Sequence, residues 1–304
     1  MKTNPAATSR RSFIRTTALG AGALMVGPAA FAARTPARKA NDLVPLGRTG
    51  IKATFLAQGT GYNGYNHSSA QTRAGKEAFD RLLRTSLDHG VNFIDMADLY
   101  GSHPFVRDVI RGIPRDRLVL LSKIWPRKAS WVTPSGGAFA EVERFCKELG
   151  TDHLDVCLIH CMLNDQWAEE YKRIRDELSE LKQKGKVRAV GVSCHDFGAL
   201  KVAAKHPWVD VIFARINHKG GKQYSCDASP EELAVVLKQA RANGKAVVGM
   251  KIFGAGKLTK PEQKDASLKF VISQGLVDAI TIGCTEPEQV HDTVERVNRA
   301  LQNA

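Results

Sequence analysis

This chain has six cysteines but no Cys-x-x-C pair. A zinc ribbon or iron–sulfur cluster is therefore not expected, and no metal site is assigned. No Gly-x-Gly-x-x-Gly follows the first predicted strand, which argues against an open, doubly wound dinucleotide-binding sheet. No dense Lys/Arg run is interleaved with aromatics, so nucleic acid is not an expected partner. Beyond residue 32 no apolar run reaches the length of a membrane span, and none is expected in the mature form. Cys157 falls in a strand pattern and Cys146 in a helix pattern, as packing residues do, so no obligatory disulfide is expected.

The first 32 residues also lack any Asp or Glu. They hold Ser9-Arg-Arg-Ser-Phe-Ile-Arg15, a weakly apolar stretch over 18–31, and Ala30-Phe-Ala32 as a small-residue cleavage site. That layout is a twin-arginine signal peptide. It predicts a periplasmic or otherwise exported protein, with the twin-arginine export machinery as a partner. Residues 33–304 are expected to form a single domain. The formal charge of +13 falls to +9 without Lys2, Arg10, Arg11 and Arg15. Part of that surplus suits a site for an anionic ligand, and the rest suits solvated helix faces.

What is present is a regular alternation. Residues 43–53 read as a hairpin turning at Gly47 to Gly50. Continuous apolar runs then predict strands at 55–57, 91–97, 118–124, 154–160, 187–193, 209–216, 246–251 and 279–282. Amphipathic helices fall between them. One spans 76–89, with Phe79, Leu82, Leu83 and Leu87 on one face; others span 167–184 and 264–274. Buried strands alternating with helices make a parallel sheet covered by helices. Eight such units in this length predict an α/β fold, a (β/α)8 TIM barrel with a short N-terminal β-hairpin.

Three consecutive strands end in polar groups that can move or steer a proton. They supply Asp95 and Tyr100 in Phe93-Ile-Asp-Met-Ala-Asp-Leu-Tyr-Gly101, Lys123 in Leu120-Leu-Ser-Lys-Ile-Trp125, and His160 in Asp155-Val-Cys-Leu-Ile-His160. Strand alternation places Phe93 on the same face as Asp95, Val119 and Leu121 with Lys123, and Val156 and Leu158 with His160. The carboxyl ends of barrel strands carry the active site. Reducing a carbonyl needs a proton donor at the developing alkoxide. Tyr100 can donate, an adjacent Lys123 ammonium lowers a tyrosine pKa, and Asp95 keeps that lysine charged. His160 can hydrogen-bond the carbonyl oxygen.

These motifs resemble the aldo-keto reductases over about residues 43–301. The resemblance is carried by Leu46-Gly-Arg-Thr-Gly50, the block ending in Tyr100, Ser122-Lys123, Leu158-Ile-His160 and Gly191-Val-Ser193. It implies a hydride transfer between NADP or NAD and a small-molecule carbonyl or alcohol substrate, with Asp95, Tyr100, Lys123 and His160 as the catalytic tetrad. It implies cofactor contacts at Ser193, Cys194, Met250, Lys251, Gly254, Gly256, Gly283 and Gln289. Several of these depart from the family pattern. Cys194 stands in place of asparagine, Phe213 in place of glutamine, and Met250 in place of a stacking aromatic. Gly283 and Gln289 stand in place of the Lys and Arg that clamp the 2′-phosphate.

Two other readings use different residues. A non-catalytic barrel that lost its cofactor is suggested by those departures. A metal- or thiol-dependent enzyme would use Cys194, His195 and Cys284. Tyr62, Tyr65, Trp125, His195 and His218 are expected around a substrate cleft.

Overall fold

The computed structural model describes residues 37–128 and 137–304, and the expected signal peptide lies outside them. β1 (Leu43–Pro45) and β2 (Lys52–Thr54) form the antiparallel hairpin, with Val44 opposite Ala53. The remaining strands are β3 (Leu56–Gly59), β4 (Phe93–Asp95), β5 (Val119–Ile124), β6 (Leu154–Met162), β7 (Val187–Cys194), β8 (Val211–Arg215), β9 (Ala246–Met250) and β10 (Ala279–Ile282). They run parallel and close into a barrel, with β10 bonded to both β9 and β3. Nearly every residue of these strands is buried, as a barrel filled inside and covered outside requires.

The hairpin covers one end. Arg48 N donates to Gly244 O at 3.1 Å, just before β9 begins. Gly47 has φ +55°, and a Cβ there would run into Ala246 N, so only glycine lets the turn approach so closely. The carboxyl end of the barrel stays open for chemistry.

The helices between strands are α1 (Ala70–Arg73), α2 (Lys76–Asp88), α3 (His103–Ile110), α4 (Ala138–Leu149), α5 (Trp167–Glu170), α6 (Lys172–Gln183), α7 (Phe197–Lys205), α8 (Pro230–Ala242), α9 (Pro261–Ser273) and α10 (Pro287–Gln302). α2 buries Phe79, Leu82 and Leu83, and Leu87 packs against the core from a partly buried position. Three departures from expectation have a physical cause. The helix expected over 167–184 breaks at Tyr171. Trp167 is fully buried and donates to Ala199 O at 3.3 Å, while Arg175 Nε donates to Ala168 O at 2.8 Å, so the first turn is anchored to the barrel on its own. α9 starts three residues earlier than expected, because Pro261 suits a first helical position. The strand expected to end at His160 runs on to Met162 through a β-bulge, with Cys161 at φ +61°.

Candidate active site

β4 and β5 pair in register with Asp95 opposite Leu121, two residues before Lys123. Both side chains point into the barrel and meet. Lys123 Nζ donates to Asp95 Oδ1, and to Met96 O at 2.7 Å. The other carboxylate oxygen of Asp95 accepts from Thr281 Oγ1 on β10 at 2.9 Å. Lys123 is 1% exposed, a position that an ammonium can occupy only with such partners.

Tyr100 lies in a single turn after β4, its ring centre 5.0 Å from Lys123 Nζ. A Cβ on Gly61 would overlap the Tyr100 ring, so glycine at that position lets the loop after β3 lie against the aromatic face. His160 meets Tyr100 edge-on at 5.7 Å and Trp125 edge-on at 5.6 Å. His160 Nδ1 is buried with no hydrogen-bond partner. The structure thus brings Asp95, Tyr100, Lys123 and His160 together.

The electrostatics differ from expectation on one point. Burial, followed by the Asp95 charge, pushes the Tyr100 hydroxyl well above its ordinary value. The Lys123 charge does not win, because Asp95 neutralises it and the phenolate would be desolvated. Burial, with Lys123 next in weight, holds His160 well below the usual imidazole range, so it is neutral. Both groups therefore carry no charge around neutral pH.

A cleft of roughly 340 Å³ runs outward from Asp95 and Tyr100. Of the expected cofactor residues, Met250, Lys251, Gly256, Gly283 and Gln289 line it. Gly254 is buried behind it at φ +59°. Ser193 and Cys194 are not in its lining and are fully buried, against expectation. Ser193 Oγ accepts from Cys161 N at 2.8 Å, so the bulge in β6 covers it. Phe213 lies under Lys123, 5.1 Å from Nζ. Tyr62 lines the cleft, Tyr65 is exposed, and His218 is only partly buried.

The thiols are not brought together as a site. Burial pushes Cys194 well above the ordinary thiol value and Cys284 up to about 11, which disfavours thiolate. Cys284 Sγ sits 3.6 Å from Thr293 Oγ1. Among the described residues, no group of three or more His, Cys, Asp or Glu is placed to hold a metal ion. All six cysteines are free and buried. Among the described residues, no helix is long and apolar enough to cross a membrane.

One residue of the cleft escaped the sequence reading. Lys264, on α9, lines the outer part of the cleft and pairs with Asp292 at 3.3 Å. α9 and α10 pack side by side around the cleft, a tertiary placement that no local pattern could reveal. The bulge at Cys161, directly after His160, left no periodic signal, since a bulge adds one residue without changing composition.

Comparison with known proteins agrees with this geometry. The model of the aldo/keto reductase family matches residues 59–273. The NADH-specific methylglyoxal reductase of Escherichia coli is 25% identical over 189 residues, 57% of this chain and 58% of that protein. The chain thus spans little more than half the length of this curated relative. A structure assigned as an aldo-keto reductase from Pseudomonas aeruginosa superposes with a TM-score of 0.69 at 25% identity, covering 86% of this chain and 97% of that one. An aldo/keto reductase from Klebsiella pneumoniae in complex with NADP and acetate has the same fold, at a TM-score of 0.61 and 20% identity over 88% of this chain and 90% of that one. A family match over most of the barrel, joined to that fold, means that this chain belongs to the aldo/keto reductase family.

Proposed function

We propose that this chain is an exported NAD(P)-dependent oxidoreductase that reduces small carbonyl compounds, with Tyr100 as the general acid. The observation that carries the reading is the packing of Tyr100 between the buried Lys123–Asp95 pair and His160 at the inner end of the cleft.

The cleft suits an extended dinucleotide. It begins at Asp95 and Tyr100 and passes the bare backbone of Gly59, Gly61 and Gly283. Met250 would lie against the nicotinamide, the turn from Gly254 to Gly256 beside the phosphates, and Lys264 and Gln289 near the adenosine end. The bound cofactor supplies a hydride. Tyr100, protonated by burial, gives its proton to the carbonyl oxygen as negative charge develops there. Lys123 then stabilises the phenolate left behind, held in place by Asp95. Neutral His160 donates a hydrogen bond that orients the carbonyl. In alcohol oxidation the same groups act in reverse.

The test is titration of reduced nicotinamide fluorescence against the purified protein, followed by turnover with methylglyoxal. Binding with turnover supports the reading. The absence of both would favour a non-catalytic barrel, to which the buried Ser193 and Cys194 and the apolar Phe213 lend some support.

Export is part of the reading and rests on Ser9-Arg-Arg-Ser-Phe-Ile-Arg15 and the cleavage site that follows. Nicotinamide cofactors are scarce outside the cytoplasm, so loading before export and slow release are expected. Periplasmic protein should release NAD(P) on acid treatment, and Arg10→Lys with Arg11→Lys should retain the chain in the cytoplasm. Periplasmic protein without dinucleotide contradicts cofactor loading before export.

A further inference from the structure

Two cations near His160, Lys251 in the cleft and Arg127 beside Trp125, have no carboxylate to answer them. Lys251 lines the cleft together with Tyr100 and Asp95. Its backbone sits at φ +60°, a left-handed conformation that costs a residue with a side chain about 1–2 kcal/mol. Asn217, fully buried, helps to hold it there: Nδ2 donates to Lys251 O at 3.1 Å, and Gly254 N donates to the same oxygen at 2.8 Å. Arg127 reaches the site from the other side. Its guanidinium lies 4.4 Å from the Trp125 ring centre, and Nη1 donates to Cys161 O at 2.9 Å. Cys161 is itself left-handed, and its Sγ lies 3.5 Å from His195 Nε2. Two strained backbone positions therefore help to bring two cations to the space around His160 and His195.

The charges there do not balance. Burial first, then Arg215, Lys251, Lys123 and Arg127, depresses the His195 pKa to about 3. The same four cations act on Cys161. Asp95 answers Lys123, and Asp227 answers Arg215. Lys251 and Arg127 make no ion pair with a carboxylate among the described residues. The stretches 1–36 and 129–136 contain no Asp or Glu, so they have none to offer. A partly buried charge without a partner is unfavourable, and an anion from a ligand removes that penalty. The outer end of the cleft is balanced by contrast: Lys264 and Arg296 face Asp292 and Asp265. The surplus sits where the substrate reacts.

We propose that the substrate is a small carbonyl compound with a carboxylate next to the carbonyl, a 2-oxo acid, and that Arg127 and Lys251 hold this carboxylate. This rests on the carbonyl-reductase reading and names its substrate class. The guanidinium fork matches a carboxylate in shape and charge. With the carboxylate at Arg127 and Lys251, the adjacent carbonyl oxygen faces Tyr100 and His160. The carbonyl carbon gains a hydride with its electron pair from the reduced nicotinamide, which is thereby oxidised. The carbonyl oxygen gains the Tyr100 proton, water reprotonates the tyrosine, and the product is the 2-hydroxy acid with its carboxylate unchanged.

Glyoxylate and glyoxal differ only by a carboxylate in place of an aldehyde. The native protein should show a kcat/KM for glyoxylate at least about tenfold above that for glyoxal, and Arg127→Gln should erase that preference. Oxamate, an unreactive 2-oxo acid analogue, tests the site by calorimetry without turnover. Its Kd with the cofactor-loaded protein should weaken about tenfold or more in Arg127→Gln and in Lys251→Met. Equal kcat/KM for the two substrates, or equal oxamate binding in all three proteins, overturns the anion site and leaves the carbonyl-reductase reading standing. Variants that lose the dinucleotide but keep oxamate also overturn it. Reduction of methylglyoxal but of neither of these overturns the substrate class, and turnover of none of the three sinks the carbonyl-reductase reading itself.

Discussion

Lys123 and Asp95, on adjacent strands, form a buried ion pair whose lysine also donates to the Met96 carbonyl at 2.7 Å. The pair is nearly sealed from water, with Lys123 1% exposed. Removing one partner leaves the other charge desolvated, which costs about 3–5 kcal/mol. Asp95→Asn should lose that much stability in urea unfolding. Asp95→Asn combined with Lys123→Met should recover most of it, since no uncompensated charge remains. Full additivity of the two single changes would show that the pair is not coupled.

The pH profile of reduction follows from the neutral state of Tyr100 and His160. Tyr100 is raised above its ordinary value of 10.0 by burial, so its proton is present throughout the range below pH 10. His160 is depressed below 6.5, so it adds no charge change around neutrality. The expected kcat/KM is flat between about pH 6.5 and 9.5. An alkaline limb near neutrality that vanishes in Tyr100→Phe would show instead that Lys123 lowers the tyrosine.

Acid stability has a definite sign. His160 is depressed mainly by burial, and His195 falls to about 3 for the same first cause. As pH drops below 6.5, the unfolded chain takes up protons at both residues that the folded chain refuses. Stability therefore falls with falling pH, by about 1.4 kcal/mol per pH unit for each histidine. His195→Asn should make the slope between pH 6 and 4 shallower by about that amount. Urea midpoints across this range check it, and an unchanged slope contradicts it.

Cofactor preference should follow the charge balance at the outer end of the cleft. Asp292 is held by Arg296 at 2.8 Å and Lys264 at 3.3 Å, so neither cation is free for a 2′-phosphate. The native protein should favour NADPH over NADH by less than about tenfold, and Asp292→Asn should shift the ratio toward NADPH by about that factor. A strong NADPH preference in the native protein would show that other groups hold the phosphate.

Much of this was legible before the structure. The inward pairing of Asp95 and Lys123 follows from strand alternation, because each ends an apolar run whose alternate residues must share a face. The barrel follows from eight repeated units. What stayed hidden depends on tertiary packing or on one inserted residue. The bulge at Cys161 captures Ser193 Oγ, so similarity alone placed Ser193 and Cys194 at the cofactor while the fold buries them. Lys264 reaches the cleft only because α9 packs beside α10. The raised Tyr100 pKa reflects enclosure, and a list of neighbouring charges could not show how burial outweighs them.

The central claim is that Tyr100 delivers the proton. The direct measurement is single-turnover reduction of methylglyoxal by native protein and by Tyr100→Phe, with cofactor affinity and far-UV circular dichroism recorded alongside. The predicted result is a fall of about 10²–10⁴ in the reduction rate, with fold and cofactor binding unchanged. Reduction by Tyr100→Phe at the native rate would contradict it.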